Sequence, residues 1–165
     1  MHDFLSWLQA SLLGHVMRES GPWTYAVVNL SHVLAVASLF GSVLVLDLRL
    51  LGLWSRTPLG SLADATVPVA KLAFSVAAPT GLGLLASKAT DYVGNPFLLI
   101  KFAAIGLGLV NVLVLNLSPA WQDARAARPL SEHEARQLAV MGGISLTSWL
   151  TAITAGRQSS VSDHR

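Results

Sequence analysis

His32 is the residue of this sequence whose chemistry stands out most from its surroundings. It lies within twenty-four residues, Trp23 to Leu46, that carry no formal charge. If this stretch is a helix, a rise of about 1.5 Å per residue places the imidazole roughly 15 Å from its start. An ionisable group in such a setting suits three roles: a hydrogen bond across a helix interface, a proton relay, or an axial haem ligand.

Of these roles we favour the hydrogen bond, with Thr80 or Ser148 as the expected partner at a similar depth. A haem held by this chain alone needs a second imidazole at matching depth. The remaining histidines all fall outside the apolar stretches: His2, His15, His133 and His164. We therefore predict no cofactor and no metal site, and haem-mediated electron transfer through His32 stays open as an alternative.

A second group of polar residues lies toward the other end of the same apolar stretches. Asp47 closes the first stretch, Lys71 lies in the second, and Asn111 and Asn116 lie late in the third. In an up-and-down bundle these residues share one side, and we predict an ion pair between Asp47 and Lys71. The alternative is a gate or a site for a small anion or lipid headgroup, with Arg49 adding positive charge.

The amino-acid composition indicates whether these residues lie in a protein surrounded by water or by lipid. The chain has 165 residues, of which 53% are hydrophobic and 12% charged, and its mean hydropathy is +0.56. A soluble domain carries about twice that share of charge, so the composition indicates lipid. The chain contains no cysteine, which excludes disulfides and thiolate metal sites. Its scattered basic residues indicate no nucleic-acid partner.

Four apolar stretches are long enough to cross a bilayer as helices. We predict an all-α fold, a four-helix transmembrane bundle over residues 21–157. Lys71 and Lys101 each lie about a turn inside a stretch, where their ammonium groups can reach toward the headgroups. The predicted spans are residues 23–46, 67–86, 96–118 and 138–155.

Outside the bundle, residues 1–20 show apolar side chains at helical spacing and predict an amphipathic helix lying in the membrane interface. Gly21 and Pro22 separate this helix from the first span. Residues 158–165 are expected to form a flexible tail. The side chains on the apolar face of the first helix are Phe4, Leu5, Leu8, Leu12 and Val16.

The arginines and lysines beside the spans predict the orientation of the chain. Five arginines lie in or near the first and third connections, whereas fewer basic residues lie close to the spans on the opposite side. The excess of positive charge favours the cytoplasmic side, so both termini are expected on the non-cytoplasmic side. The five arginines are Arg49, Arg56, Arg125, Arg128 and Arg136.

Motifs of the common enzyme classes are missing from the sequence. It contains no phosphate-binding loop, no dinucleotide fingerprint, no zinc-protease helix and no nucleophile elbow. We predict that the protein is not an enzyme and has no catalytic residue. Ser131 to Glu134 has the residue types of a metal site, but its spacing also predicts a capping box that opens the last helix.

The segment Asp47 to Gly52 reads DLRLLG, and further motifs follow at Pro79-Thr80-Gly81 and Asn95-Pro96-Phe97. With these motifs the chain resembles, over nearly its whole length, a family of small bacterial integral membrane proteins classified as a domain of unknown function. The resemblance implies four transmembrane helices in a bacterial inner membrane and no known activity. Family members often carry Phe-His-Arg at the end of the third span, where residues 115–117 of this chain are Leu-Asn-Leu. A second histidine that could bind a metal or haem together with His32 is therefore missing here.

The residues that match the family pattern are where we expect any function to reside: His32, Asp47, Arg49, Lys101 and Asn111. Our first hypothesis is a non-enzymatic accessory or interaction subunit that contacts the lipid bilayer and a membrane protein partner or further copies of itself. The alternative from another class is a small transporter or channel that moves a proton or small solute past His32.

Overall fold

The computed structural model describes the backbone of residues 2–19 and 21–161. The described residues form seven α-helices and one 3-10 helix, with no strand, so the predicted all-α class is confirmed. The helices are α1 (His2–Ala10), α2 (Leu12–Glu19), α3 (Gly21–Leu50), α4 (Leu59–Ser87), α5 (Pro96–Leu117), α6 (Pro119–Arg125) and α7 (Glu132–Val161), with the 3-10 helix at Ala89–Tyr92.

Four of these helices, α3, α4, α5 and α7, are long and apolar enough to cross a membrane. These helices contain nearly all residues of the predicted spans. Helices α3, α4 and α7 extend beyond the predicted apolar stretches. Helix α4 begins at Leu59, well before residue 67. Polar residues such as Asp64 lower the hydropathy of its first turns, yet Leu59 and Ala63 are buried against α6.

The long helices pack in the order α4, α3, α7, α5, with α3 against α4 and α7, and α5 against α7. Trp149 of α7 lies at the centre of the bundle, where its side chain packs with Leu39 of α3 and Ala73 of α4. Gly108 of α5 faces the same indole, and a Cβ at that position would lie 3.4 Å from a ring carbon. The small residue therefore allows α5 and α7 to approach each other closely.

One end of the bundle, which we call the α6 end, is closed by α6. Trp121 and Ala124 of α6 pack on Leu59 and Ala63 of α4 in the largest buried cluster of the described residues. Gly60 also approaches the backbone of Arg125 so closely that a Cβ at position 60 would overlap its carbonyl oxygen. The short helix is therefore docked by close packing.

The opposite end, the α1–α2 end, is covered by the N-terminal segment. The single helix predicted over residues 1–20 is corrected to two, because Ser11 interrupts it and its hydroxyl donates to the Leu8 carbonyl. Leu5 and Leu8 are buried against Ala86 and its neighbours, so one face packs on the bundle. Leu12 is exposed, so part of the apolar side-chain surface of this segment is not covered by the bundle.

Helix α7 begins with the predicted capping box. The Ser131 backbone N–H donates to the Glu134 carboxylate at 2.8 Å, and the Glu134 N–H donates to the Ser131 hydroxyl at 3.3 Å. This confirms the cap. The helix continues to Val161, so the first part of the expected tail, residues 158–161, is helical, and residues 162–165 lie outside the described residues.

Candidate functional site

His32 lies on the side of α3 that faces α4. Its Nδ1 is 3.1 Å from the Ala77 carbonyl oxygen and 3.1 Å from the Thr80 hydroxyl oxygen. The predicted contact with Thr80 is confirmed. Ser148, the other expected partner, instead donates to the Ile144 carbonyl of its own helix.

The partners of His32 determine where its proton lies. A carbonyl oxygen can only accept, and the Thr80 hydroxyl already donates to the Val76 carbonyl at 2.6 Å. Nδ1 therefore carries the hydrogen and donates to α4. The other ring nitrogen, Nε2, keeps its lone pair and has no hydrogen-bond partner among the described residues, so it is the reactive edge of the ring.

Gly81 provides the space that the imidazole occupies. A Cβ at this position would lie 2.8 Å from His32 Cε1 and 3.4 Å from Nδ1. No larger residue fits without moving the ring. The sequence shows Gly81 only as a small residue four positions after Ala77, a spacing that indicates close helix packing but does not identify the side chain that uses the space.

Lys101 of α5 lies close enough to His32 for the two side chains to interact electrostatically. The lysine is half-buried, and its stem runs past Gly156 of α7, where a Cβ would lie 3.5 Å from Nζ. Lys101 forms no ion pair with any side chain that the structure describes. The structure thus brings together His32 and Thr80, whereas the side chain of Lys101 lies beside Gly156 of α7.

Asp47 and Lys71 are not brought together, and the predicted ion pair is wrong. Asp47 is only 3% exposed, lies near Ser145 of α7, and its Oδ2 has no hydrogen-bond partner within the described residues. The contact of His32 with Ala77 sets α3 and α4 in an antiparallel register that places Asp47 level with residues 62–65. Lys71 therefore lies about 10 Å away along the axis, on the outer face of α4.

Arg49 binds the connection that follows its own helix. Its Nε donates to the Thr57 carbonyl at 2.9 Å and its Nη2 to the Ser55 carbonyl at 3.2 Å. Gly52 turns the chain with a φ of 102°. The DLRLLG segment is thus a helix end with a turn, in which Asp47 and Leu50 are buried and the guanidinium binds the loop.

Asn111 connects α5 to α7, since its side-chain amide donates to the Met141 carbonyl at 2.9 Å. This contact is close along α7 to Ser145, which faces Asp47. By contrast, Asn116 donates to the Val112 carbonyl of its own helix and is exposed. Two of the four residues predicted to cluster here, Asp47 and Asn111, therefore reach neighbouring turns of α7.

Trp149 was not among the residues predicted from the sequence to be functional. Its indole N–H is buried and has no acceptor among the described residues, at the centre of the bundle. A tryptophan in the middle of a long uncharged stretch, away from both of its ends, was the available signal. Together with Leu39 and Ala73 it forms an apolar layer between the His32 group and Asp47.

The described residues hold no group of three or more histidine, cysteine, aspartate or glutamate side chains that could bind a metal ion. Residues 4–162 match the family of unknown function DUF6644. The chain belongs to this family. No match was found among curated proteins or among solved structures. The DUF6644 match covers all four long helices and brings no activity with it, so a function has to be argued from the side chains.

Proposed function

We propose that this DUF6644 protein is a non-enzymatic accessory subunit of the bacterial inner membrane, which binds another membrane protein through the outer face of α4. In this proposal α3, α4, α5 and α7 cross the bilayer and both termini lie on the non-cytoplasmic side. The single observation that carries the proposal is the position of Lys71.

Support for the membrane setting comes from the outward side chains of the four helices. Leu72 is 69% exposed and Leu117 is 71% exposed, and both belong to a surface made almost entirely of aliphatic residues. In water such a surface costs roughly 25 cal/mol for each Å² exposed, whereas lipid solvates it without that cost. Further members of this surface are Val27, Leu30, Leu34, Leu99, Leu107, Val110 and Leu113.

Lys71 interrupts this apolar surface. Its side chain is exposed on α4, twelve residues after Leu59, which is about 18 Å along the helix. Asp64, which pairs with Arg125 at the α6 end, lies seven residues earlier, or about 10 Å. An extended lysine reaches roughly 6 Å toward the helix N-terminus, so the ammonium does not reach that level.

A charged lysine facing hydrocarbon near the centre of a span costs about 2.5–3.5 kcal/mol. A carboxylate on a neighbouring helix removes most of that cost. Ser75, an exposed small residue one turn after Lys71, allows another helix to approach closely. These features favour a partner helix that carries an aspartate or glutamate.

A second copy of the chain does not provide that carboxylate. Among the described side chains, Asp47 is the one acidic group well inside the spans, and it is buried between α3 and α7. The other acidic groups lie near helix ends or in connections. We therefore propose a partner of different sequence.

A crosslinking experiment in native membranes tests the proposal. A photoreactive residue at Ser75 should give one adduct with a membrane protein whose identified transmembrane helix contains Asp or Glu. Lys71→Gln should reduce the adduct about tenfold, the effect of losing roughly 1.4 kcal/mol, and Lys71→Arg should retain it. The same photoreactive residue at Leu113, on α5, serves as the control and should not give this adduct. An adduct that does not depend on Lys71, or no adduct, contradicts the proposal.

One observation favours the alternative of a small transporter that acts through His32. The unpartnered Oδ2 of Asp47 is a second polar group on the buried side of α3, which a proton path could use. Against this alternative, the layer of Leu39, Ala73 and Trp149 separates the two groups. Proton flux into vesicles containing the purified protein, abolished by His32→Ala, would support transport over the accessory role.

A further inference from the structure

The α6 end of the bundle contains an open cleft between α4, α5 and α6. Its volume is about 420 Å³, which lies in the range of small-molecule sites, roughly 300–1,000 Å³. The outer surface of the long helices is mainly aliphatic, whereas this cleft is mainly polar. Its lining residues are Asp64, Asn116, Trp121, Gln122, Arg125 and Ala126.

Arg125 is held in the cleft by contacts that leave most of its hydrogen-bond donors unused. Its Nη2 donates to Asp64, and its guanidinium lies over the Trp121 ring, 5.9 Å from the centroid. Trp121 is buried, so the ring is a firm support. A guanidinium has five N–H donors, and the described residues provide no acceptor for Nε and Nη1 of Arg125. These atoms suit a phosphate, whose oxygens accept two such hydrogen bonds at once.

The cleft also has acceptor atoms that no described donor uses. Asp64 is exposed and accepts from Arg125 through Oδ1, which leaves Oδ2 available. The Asn116 side chain donates to the Val112 carbonyl at 2.8 Å, so its amide oxygen is the remaining acceptor. Such oxygens can accept hydrogen bonds from a primary ammonium, which has three N–H groups.

The charges of the cleft select a dipolar ligand. Asp64 and Arg125 are the charged residues that line it, so the lining is neutral overall. A simple anion is attracted by the guanidinium but repelled by the neighbouring carboxylate. A zwitterion with separate anionic and cationic groups gains from both side chains.

The position of the cleft favours a lipid as the source of such a ligand. Asn116 precedes Leu117, the last residue of α5, and both Leu117 and Leu113 are exposed. On α4, Asp64 lies before the apolar stretch that begins at residue 67. The polar cleft and the aliphatic surface therefore meet where the apolar part of the bundle ends, as headgroup and acyl chains meet in a bilayer.

We propose that the cleft binds a phosphate joined to a primary ammonium, the headgroup of phosphatidylethanolamine. Arg125 donates to the phosphate, and Asp64 and Asn116 accept from the ammonium. The acyl chains lie along the exposed leucines of α5. This site shares the membrane setting of the proposed function but does not involve the partner of Lys71, so either proposal can fail alone.

Native mass spectrometry of the purified protein in detergent tests the site. With phosphatidylethanolamine as the probe, we expect one retained lipid per chain. Phosphatidylcholine, whose quaternary ammonium has no N–H, and phosphatidylglycerol, which has no ammonium, should each be retained about tenfold less, as loss of a charge-assisted hydrogen bond implies. Equal retention of the three lipids would overturn the proposal.

Two variants assign the two ends of the headgroup. Arg125→Gln should retain about tenfold less phosphatidylethanolamine than the wild type. Asp64→Asn leaves the cleft positively charged, so it should retain phosphatidylglycerol better than phosphatidylethanolamine. If the ion pair is only structural, both variants keep the lipid preference of the wild type, and the proposal is wrong.

Arg128→Gln is the matched control, because it breaks the other ion pair of the α6 end without changing a residue that lines the cleft. It should bind like the wild type, and a loss equal to that of Arg125→Gln would contradict the proposal. Free phosphoethanolamine distinguishes the source of the ligand. If it raises the thermal midpoint of the wild type but not of Arg125→Gln, and no lipid is retained, the same groups bind a soluble ligand instead of a lipid.

Discussion

The two ends of the bundle differ in whether their described basic side chains have a carboxylate partner. At the α6 end Arg125 pairs with Asp64 and also lies over the Trp121 ring, 5.9 Å from its centroid, while Arg128 pairs with Asp123 at 2.8 Å. At the α1–α2 end the inward-facing Lys101 has no described carboxylate beside it.

This contrast separates charges that have a partner within the fold from charges that have none among the described side chains. An arginine whose hydrogen bonds are used within the fold positions a helix or a loop, as Arg49 does for its connection. A cation within a long apolar helix that has no described counter-charge lacks such a role. Lys71, exposed on α4, is the cation of this second kind for which we propose a contact with another molecule.

The largest expected effect comes from closing the space around His32. Gly81→Val should destabilise the protein by about 1–3 kcal/mol, because its Cβ would overlap the imidazole and force the ring away from Thr80. The measurement is thermal or denaturant unfolding in detergent. Gly106→Val is the matched control in α5, where no described atom lies within 4 Å of the added Cβ, and it should change stability much less.

A double variant checks the cause of that effect. Adding His32→Ala to Gly81→Val removes the ring that the valine meets, so the two changes together should cost less than the sum of the single changes. Equal losses for Gly81→Val and Gly106→Val would show that the imidazole does not occupy this space.

A smaller effect is expected at the α6 end, although its ion pair is well formed. Arg125 and Asp64 are both exposed, at 41% and 68% of their side-chain surface, so solvent screens their attraction. Arg125→Gln should therefore reduce the free energy of unfolding by less than about 1 kcal/mol. Asp64→Asn, which breaks the same pair from the other side, should have a similarly small effect. A loss above about 2 kcal/mol for either variant would show that this end depends on its charges.

Much of the fold follows from local properties that the sequence displays. Long apolar stretches predict the four helices, and the serine and glutamate of the capping box mark the start of α7. The contact of His32 with Thr80 was also predictable, because antiparallel helices place polar residues of similar depth side by side.

The site itself was only partly predictable, because it depends on the rotation and register of the helices. Asp47 and Lys71 lie at the same end of their spans in the sequence, but the register of α3 against α4 separates them by several residues. Lys101 meets Gly156 through the packing of α5 on α7, in which Trp149 also lies against Gly108. Hydropathy carries no information about such contacts.

The proposed function depends most on the four long helices crossing the membrane, and cysteine labelling tests this directly because the sequence contains no cysteine. Single cysteines at Ser55 and Pro129 should react with an impermeant thiol reagent only from the cytoplasmic side of the membrane. A cysteine at Val93 should react only from the opposite side. Labelling of Ser55 and Val93 from the same side would show that α4 does not span the bilayer, and the membrane-embedded site proposed for Lys71 would fall with it.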